Sequence, residues 1–167
     1  ASPPQLEKVV VAIEKNGNRN GWDGADYKDW LNSYRNYIKN KGLEKYYPSI
    51  TKLITSLGDI MYYEHGRFLE NVRIADGADI YVFNGYEDMK NDNFSGAVDV
   101  FRNIKGTPEL INHYAQPAFV AVKVREKIGH VGDTNLFDMF VVNEHAVPGG
   151  DYSIKAWVVT PKGDTDI

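Results

Sequence analysis

The stretch "VVNEHAVPGGDYSI" at 141–154 places a carboxylate, Glu144, and an imidazole, His145, at the end of a strand-forming run and just before a Pro-Gly-Gly turn. A carboxylate in that position can stabilise a developing positive charge or carry a proton. It can equally be a solvated residue marking where a sheet stops. The histidines are His65, His113, His130 and His145, and no two stand at the i, i+4 spacing that brings two metal ligands to one helix face. His130 and His145 would supply the acid–base pair of a metal-free ribonuclease if neighbouring strands bring them together. The plainer reading is two partly exposed strand-end side chains. Glu87 and Asp88 are adjacent, and neighbours on a strand point to opposite faces, so they read as a solvated turn. Asn16, Asn18 and Asn20 precede Gly21 in the manner of a calcium loop, but the twelfth position, where a bidentate Glu is needed, is Tyr27. That segment therefore reads as an Asn/Gly connection.

Other chemistries are closed at the outset. The chain has no cysteine, which removes disulfides, thiolate nucleophiles and Cys-zinc sites. It has no Gly-x-Ser-x-Gly and no Walker loop, so serine hydrolysis and phosphoryl transfer have no local support. The net charge of −4, with Lys and Arg scattered, argues against nucleic acid as a partner. No apolar run approaches the roughly 20 residues of a membrane span. The chain opens on Ala-Ser-Pro-Pro without an initiator Met, which reads as a processed protein or an excised piece, and secretion is the expectation.

The elements that must position these residues change character along the chain. In "QLEKVVVAIEK" (5–15) Leu6, Val9, Val10 and Ile13 recur at helical spacing. Asp26 is placed to cap a second helix, "YKDWLNSYRNYIKNKG", striped by Trp30, Leu31, Tyr34 and Ile38 and stopped by Gly42. A third helix is expected over 49–63, with Ile50, Leu53, Ile54 and Leu57 inward. From about residue 78 short β-forming runs take over: "DIYVFNG", "AVDVF", "FVAVKV", "LFDMFVV" and "YSIKAWVV". One helix interrupts them, "TPELINHYA" (107–115), with Thr107 as N-cap and Pro108 at the first position. With 167 residues and 43% hydrophobic side chains, this is one α+β domain with a helical lobe at 1–66 and a β core at 67–167.

In that order, the segments "DIYVFNGYED" (79–88), "GAVDVF" (96–101) with its following helix, "FVAVKVREKIGHVGD" (119–133) and "VNEHAVPGGDYSI" (142–154) resemble the core of the clostridial-type ADP-ribosyltransferase toxins. The resemblance covers about residues 26–160 and rests on element order. It implies two packed sheets with a cleft between them, NAD as the bound substrate, and transfer of ADP-ribose to a target protein by a secreted toxin domain. In that family a carboxylate stabilises the ribosyl cation as nicotinamide leaves, a forked cation holds the phosphates, and a Ser-Thr-Ser strand supports both. Carried over, the second carboxylate of the Glu-x-Glu motif is Glu144, while the first falls on Val142. The phosphate-binding position is Asn84, or Arg73 if "NVRIADG" is the first strand instead. The serine strand falls at Asp99, Val100 and Phe101, and Phe137 precedes the catalytic strand where the target would touch.

Two functions follow from the resemblance. One is a mono-ADP-ribosyltransferase with Glu144 as catalytic carboxylate. The other is a domain of the same fold without catalysis, which docks on a toxin translocation component or another protein. A secreted metal-free ribonuclease or an unrelated binding module is the third reading, since element order recurs without function.

Overall fold

The computed structural model describes residues 1–17, 21–89, 93–160 and 163–166. Helix α1 (Leu6–Lys15), α2 (Trp22–Asn40) and α3 (Ile50–Ala75) come first. Their shared core is Leu6, Val9, Val10, Ile13, Tyr27, Leu31, Ile38, Ile50 and Ile54. The helical spacing of these residues in the sequence is what lets them meet, and each fully buried aliphatic side chain contributes about 1.5–3 kcal/mol. Among them, Leu6, Val9 and Ile54 have no exposed surface.

Helix ends follow local chemistry. Ser49 caps α3, its hydroxyl accepting from the Lys52 amide at 3.1 Å, while Glu7 of α1 accepts from the amide and hydroxyl of Thr51 at 3.0 and 2.8 Å. Gly42, at φ 63°, lets the chain leave α2. Helix α2 begins four residues before Asp26, which is exposed on it rather than capping it. Helix α3 runs twelve residues past the expected 63 and takes "NVRIA" with it, so the alternative first strand is helix. Of the Asn-rich connection, Asn18 and Asn20 lie outside the described residues, and Tyr27 is a core side chain.

The second half is α+β in content but sparing in ladders. Helix α4 (Glu109–Asn112) continues into a 3-10 turn, His113–Ala115. Strands β1 (Ala118–Val124) and β2 (Phe137–Asn143) form one antiparallel hairpin, in register Ala118 to Asn143 and Val124 to Phe137. Strands β3 (Trp157–Thr160) and β4 (Gly163–Asp166) form a second, separate two-stranded sheet. Among the described residues "DIYVFNG" and "AVDVF" join no ladder; isolated bridges link Glu87 to Val98 and Val98 to Ile104.

What orders 84–107 instead is buried charge. The Lys105 ammonium, without exposed surface, donates to both Asp88 oxygens (2.8 and 3.1 Å) and to the carbonyls of Ser2 (3.0 Å) and Phe94 (2.9 Å). Burial pulls the Lys105 ammonium down and pushes the Asp88 carboxyl up, and their mutual bond opposes both. The pair ties the N-terminal segment and the loop to one point.

Candidate functional site

Two places gather the residues of interest. The first is where the end of α3 meets the end of β2. Arg73, in the last turn of α3, donates from Nε to Glu144 Oε1 at 2.9 Å, and its Nη2 lies equally close to that oxygen. Nη1 donates to the Tyr114 carbonyl at 2.6 Å, and the guanidinium carbon sits 4.8 Å from the centre of the Phe119 ring. Nε and Nη1 thus donate to protein acceptors, while Nη2 is buried and close to the carboxylate without a hydrogen bond of its own. Arg73 is 10% exposed and Glu144 62%, so the arginine belongs to the interior and the glutamate reaches in from solvent. The Glu144 amide donates to the Pro117 carbonyl at 2.8 Å, which holds the strand end beside β1.

A second ion cluster repeats the docking one turn earlier. Buried Glu70 accepts from Lys123 of β1 and pairs with Arg67 at 2.6 Å, and Lys123 also donates to Asn71 at 2.7 Å. The inner face of the hairpin, with Ala121 and Val142 buried, is thus attached to α3 by two carboxylate–cation contacts.

The second place is a groove between α3 and residues 79–84. Ile80 and Val82 are 79% and 76% exposed, whereas Tyr81 and Phe83 are half-buried. The Tyr81 ring lies 5.7 Å from Phe68 and the Phe83 ring 4.9 Å from His65, with 5.2 Å between the two. Side chains alternate as along a strand. Among the described residues no backbone hydrogen bond joins 79–83 to any other segment; at the end of the run Ser95 Oγ donates to the Asn84 carbonyl at 3.4 Å. A cavity of about 500 Å³ opens here, lined by Glu64, His65, Phe68, Tyr81, Val82, Phe83, Asn84 and Ser95. A smaller one of about 220 Å³, between Pro3, Leu57 and Ile60, shares Glu64 and His65 with it, so the groove runs on along α3. Burial, then the charges of the N-terminal amine and Lys105, holds the His65 imidazole below its ordinary pKa, and its buried Nδ1 has no hydrogen-bond partner.

The candidate residues thus separate. Arg73 and Glu144 meet. Asn84 lies in the groove, exposed, with a carboxylate, Glu64, on the same lining. Asp99 is fully buried and saturated: it accepts from the amides of Gln5, Phe101 and Asn103 at 2.9–3.1 Å and from the Asn103 side chain at 3.0 and 3.1 Å. Its placement ties α1 to the loop, and no face of its carboxylate is open to a ligand. Phe137 starts β2 on the side of the hairpin turned away from α3. His130 lies in the connection at one end of β2 and His145 just past the other, so about seven residues of strand, on the order of 20 Å, separate them. Among the described residues no cluster of three or more His, Asp or Glu is set to hold a metal ion, and no helix is long and apolar enough to cross a membrane.

The sequence did not nominate the groove residues Glu64, His65 and Phe68, which lie past the expected end of the third helix at 63 and belong to α3 in the structure. The available signal was "IYVF", apolar at four consecutive positions; a strand apolar on both faces belongs between two layers. No family model, no curated protein and no solved structure matches the chain.

Proposed function

We propose that this chain is a docking domain that receives an extended, apolar strand from a protein partner along residues 79–83. The observation that carries the reading is a strand-forming run whose backbone is unpaired among the described residues and whose Ile80 and Val82 side chains are largely exposed. Backbone N–H and C=O groups without partners are a template for strand addition, and the partner's alternate side chains supply specificity. The aromatic groove beside it receives those side chains that point toward α3.

The test uses a blocked peptide of alternating Val and Thr residues as the strand. Saturable binding that slows exchange of the alternate amides within 80–83 that face the added strand, and that Val82→Pro or Phe83→Pro, at whichever position carries a facing amide, abolishes by removing a donor, supports the reading. Failure of the wild-type chain to bind the strand peptide contradicts it.

A second reading, a mono-ADP-ribosyltransferase of the resembled type with its two-sheet core, draws on one observation: Arg73 and Glu144, both nominated from sequence, stand 2.9 Å apart. Of the side chains assigned to NAD, Arg73 is spent on Glu144 and Tyr114 and Asp99 on backbone amides, while Asn84 stays exposed in the groove beside Glu64. For this reading Arg73 must release Glu144 to take a phosphate. Calorimetry with NAD beside an NAD-hydrolysis assay tests it: binding with turnover lost in Glu144→Gln supports transfer, and silence in both removes it.

A further inference from the structure

The β1–β2 hairpin turns one face to α3 and leaves the other bare. On the bare face the opposed pairs Val120–Val141, Val122–Met139 and Val124–Phe137 make a continuous apolar patch, each side chain 43–57% exposed. The chain just beyond carries a matching pattern. Tyr152, Ile154, Ala156 and Val158 fall on one side of an extended segment, and Asp151, Ser153, Lys155 and the half-exposed Trp157 on the other, an alternation of apolar and polar side chains that holds through Ala156. Tyr152, Ile154 and Val158 are themselves substantially exposed.

We propose that residues 152–158 close over the outer hairpin face as the second layer of a two-sheet sandwich, with Tyr152, Ile154, Ala156 and Val158 facing the six apolar side chains. Area decides between this occupant and a second copy of the chain. Two strands of seven residues present a face of roughly 24 by 10 Å, so two copies packed face to face would bury about 500 Å² in all. A stable association of separate molecules needs about 1,200 Å² or more. A tethered segment needs far less, since its effective concentration is on the order of millimolar.

The connection also reaches. About eight residues separate β2 from Tyr152, which extend to at most ~26 Å, against a sheet spacing of about 10 Å. Asn143 begins the reversal: its Oδ1 accepts from the amides of Ala146 and Val147 at 3.0 and 3.1 Å, and its Nδ2 donates to the Val147 carbonyl at 3.0 Å.

Because the chain lacks cysteine, single cysteines report coverage directly. Thiol labelling is compared between Val122→Cys on the face and Val131→Cys on a fully exposed loop, with Met139→Cys as a second face site and circular dichroism to verify the helical lobe. The expected result is labelling about tenfold or more slower at both face sites, independent of protein concentration. Adding Ile154→Asp restores fast labelling, whereas Ser153→Asp, on the solvent side, does not. Face cysteines that label as fast as the loop cysteine overturn the proposal. So does protection that Ile154→Asp leaves intact, or protection that grows with protein concentration, which assigns the face to a second copy.

Discussion

Arg73 and Glu144, seventy-one residues apart, meet at 2.9 Å where α3 ends and β2 ends, and the two sides of the pair are unequally buried. The arginine is an interior side chain with two further anchors, the Tyr114 carbonyl and the Phe119 ring. The glutamate is a surface group. An exposed partner gains little net energy, because water and salt screen it and holding it costs side-chain entropy.

Glu144→Gln is therefore expected to change stability by less than ~1 kcal/mol, while Arg73→Met costs about 2–3 kcal/mol through the orphaned carbonyl and the lost ring contact. Urea unfolding of both variants checks this. Equal effects would mean that the pair, and not the arginine's buried anchors, secures the hairpin.

Lys105 and Asp88 are both without exposed surface, so removing one leaves an uncompensated charge. Lys105→Met is expected to cost about 3–5 kcal/mol, and Lys105→Met with Asp88→Leu to recover a large part of it. Denaturant titration of the single and double variants measures the difference. A single variant as mild as a surface lysine replacement would show that the loop does not depend on this pair.

His65 makes stability sensitive to mild acid. Its folded-state pKa lies below the unfolded value of about 6.5, so the unfolded chain takes up the proton first. The stabilising contribution is whole above pH 6.5 and is lost as pH falls from there through the folded value. Melting temperatures between pH 7.5 and 5 should decline less steeply in His65→Gln than in wild type. Parallel curves would assign the acid limb to other groups.

Gly58 sits inside α3 where its missing side chain admits the backbone of Lys105 and Gly106; a Cβ there would overlap the Lys105 carbonyl. Gly58→Ala is expected to destabilise by about 1–3 kcal/mol despite alanine's higher helix propensity. Gly77→Ala, whose Cβ would meet only the Ala75 carbonyl at 3.7 Å, is the control and should be close to neutral.

These glycines also explain what the sequence made legible. Leu6, Val9, Val10 and Ile13 announce α1 because helical spacing and burial agree, and "FVAVKV" and "LFDMFVV" announce the hairpin by their β-branched and aromatic content, although most of those apolar side chains stay exposed. The length of α3 was not legible past 63: Gly66 looks like punctuation, yet it stays helical because the Tyr114 ring occupies the space a Cβ would take. "DIYVF" has the composition of a strand, but a ladder needs a neighbour that no local pattern supplies. Glu144 was visible as a carboxylate on a strand end. Its contact with Arg73 was not, since it depends on the extra turns of α3 and on the Glu70–Lys123 attachment that brings the hairpin alongside. Asp88 reads as part of a solvated turn and Asp99 as a cofactor-binding position on the serine strand, and the burial of both follows from long-range partners, Lys105 and Gln5, that spacing cannot reveal.

Whether residues 79–83 are a strand awaiting its neighbour is decided by residue-resolved amide hydrogen exchange on the unmodified chain, alone and with the Val/Thr strand peptide. The amides of Ile80–Phe83 should exchange nearly as fast as those of an unstructured peptide in the chain alone, and every second one of them should slow markedly when the peptide is added. Protection of those amides in the chain alone, matching the middle of α3, would show that the strand is already paired and would contradict the account.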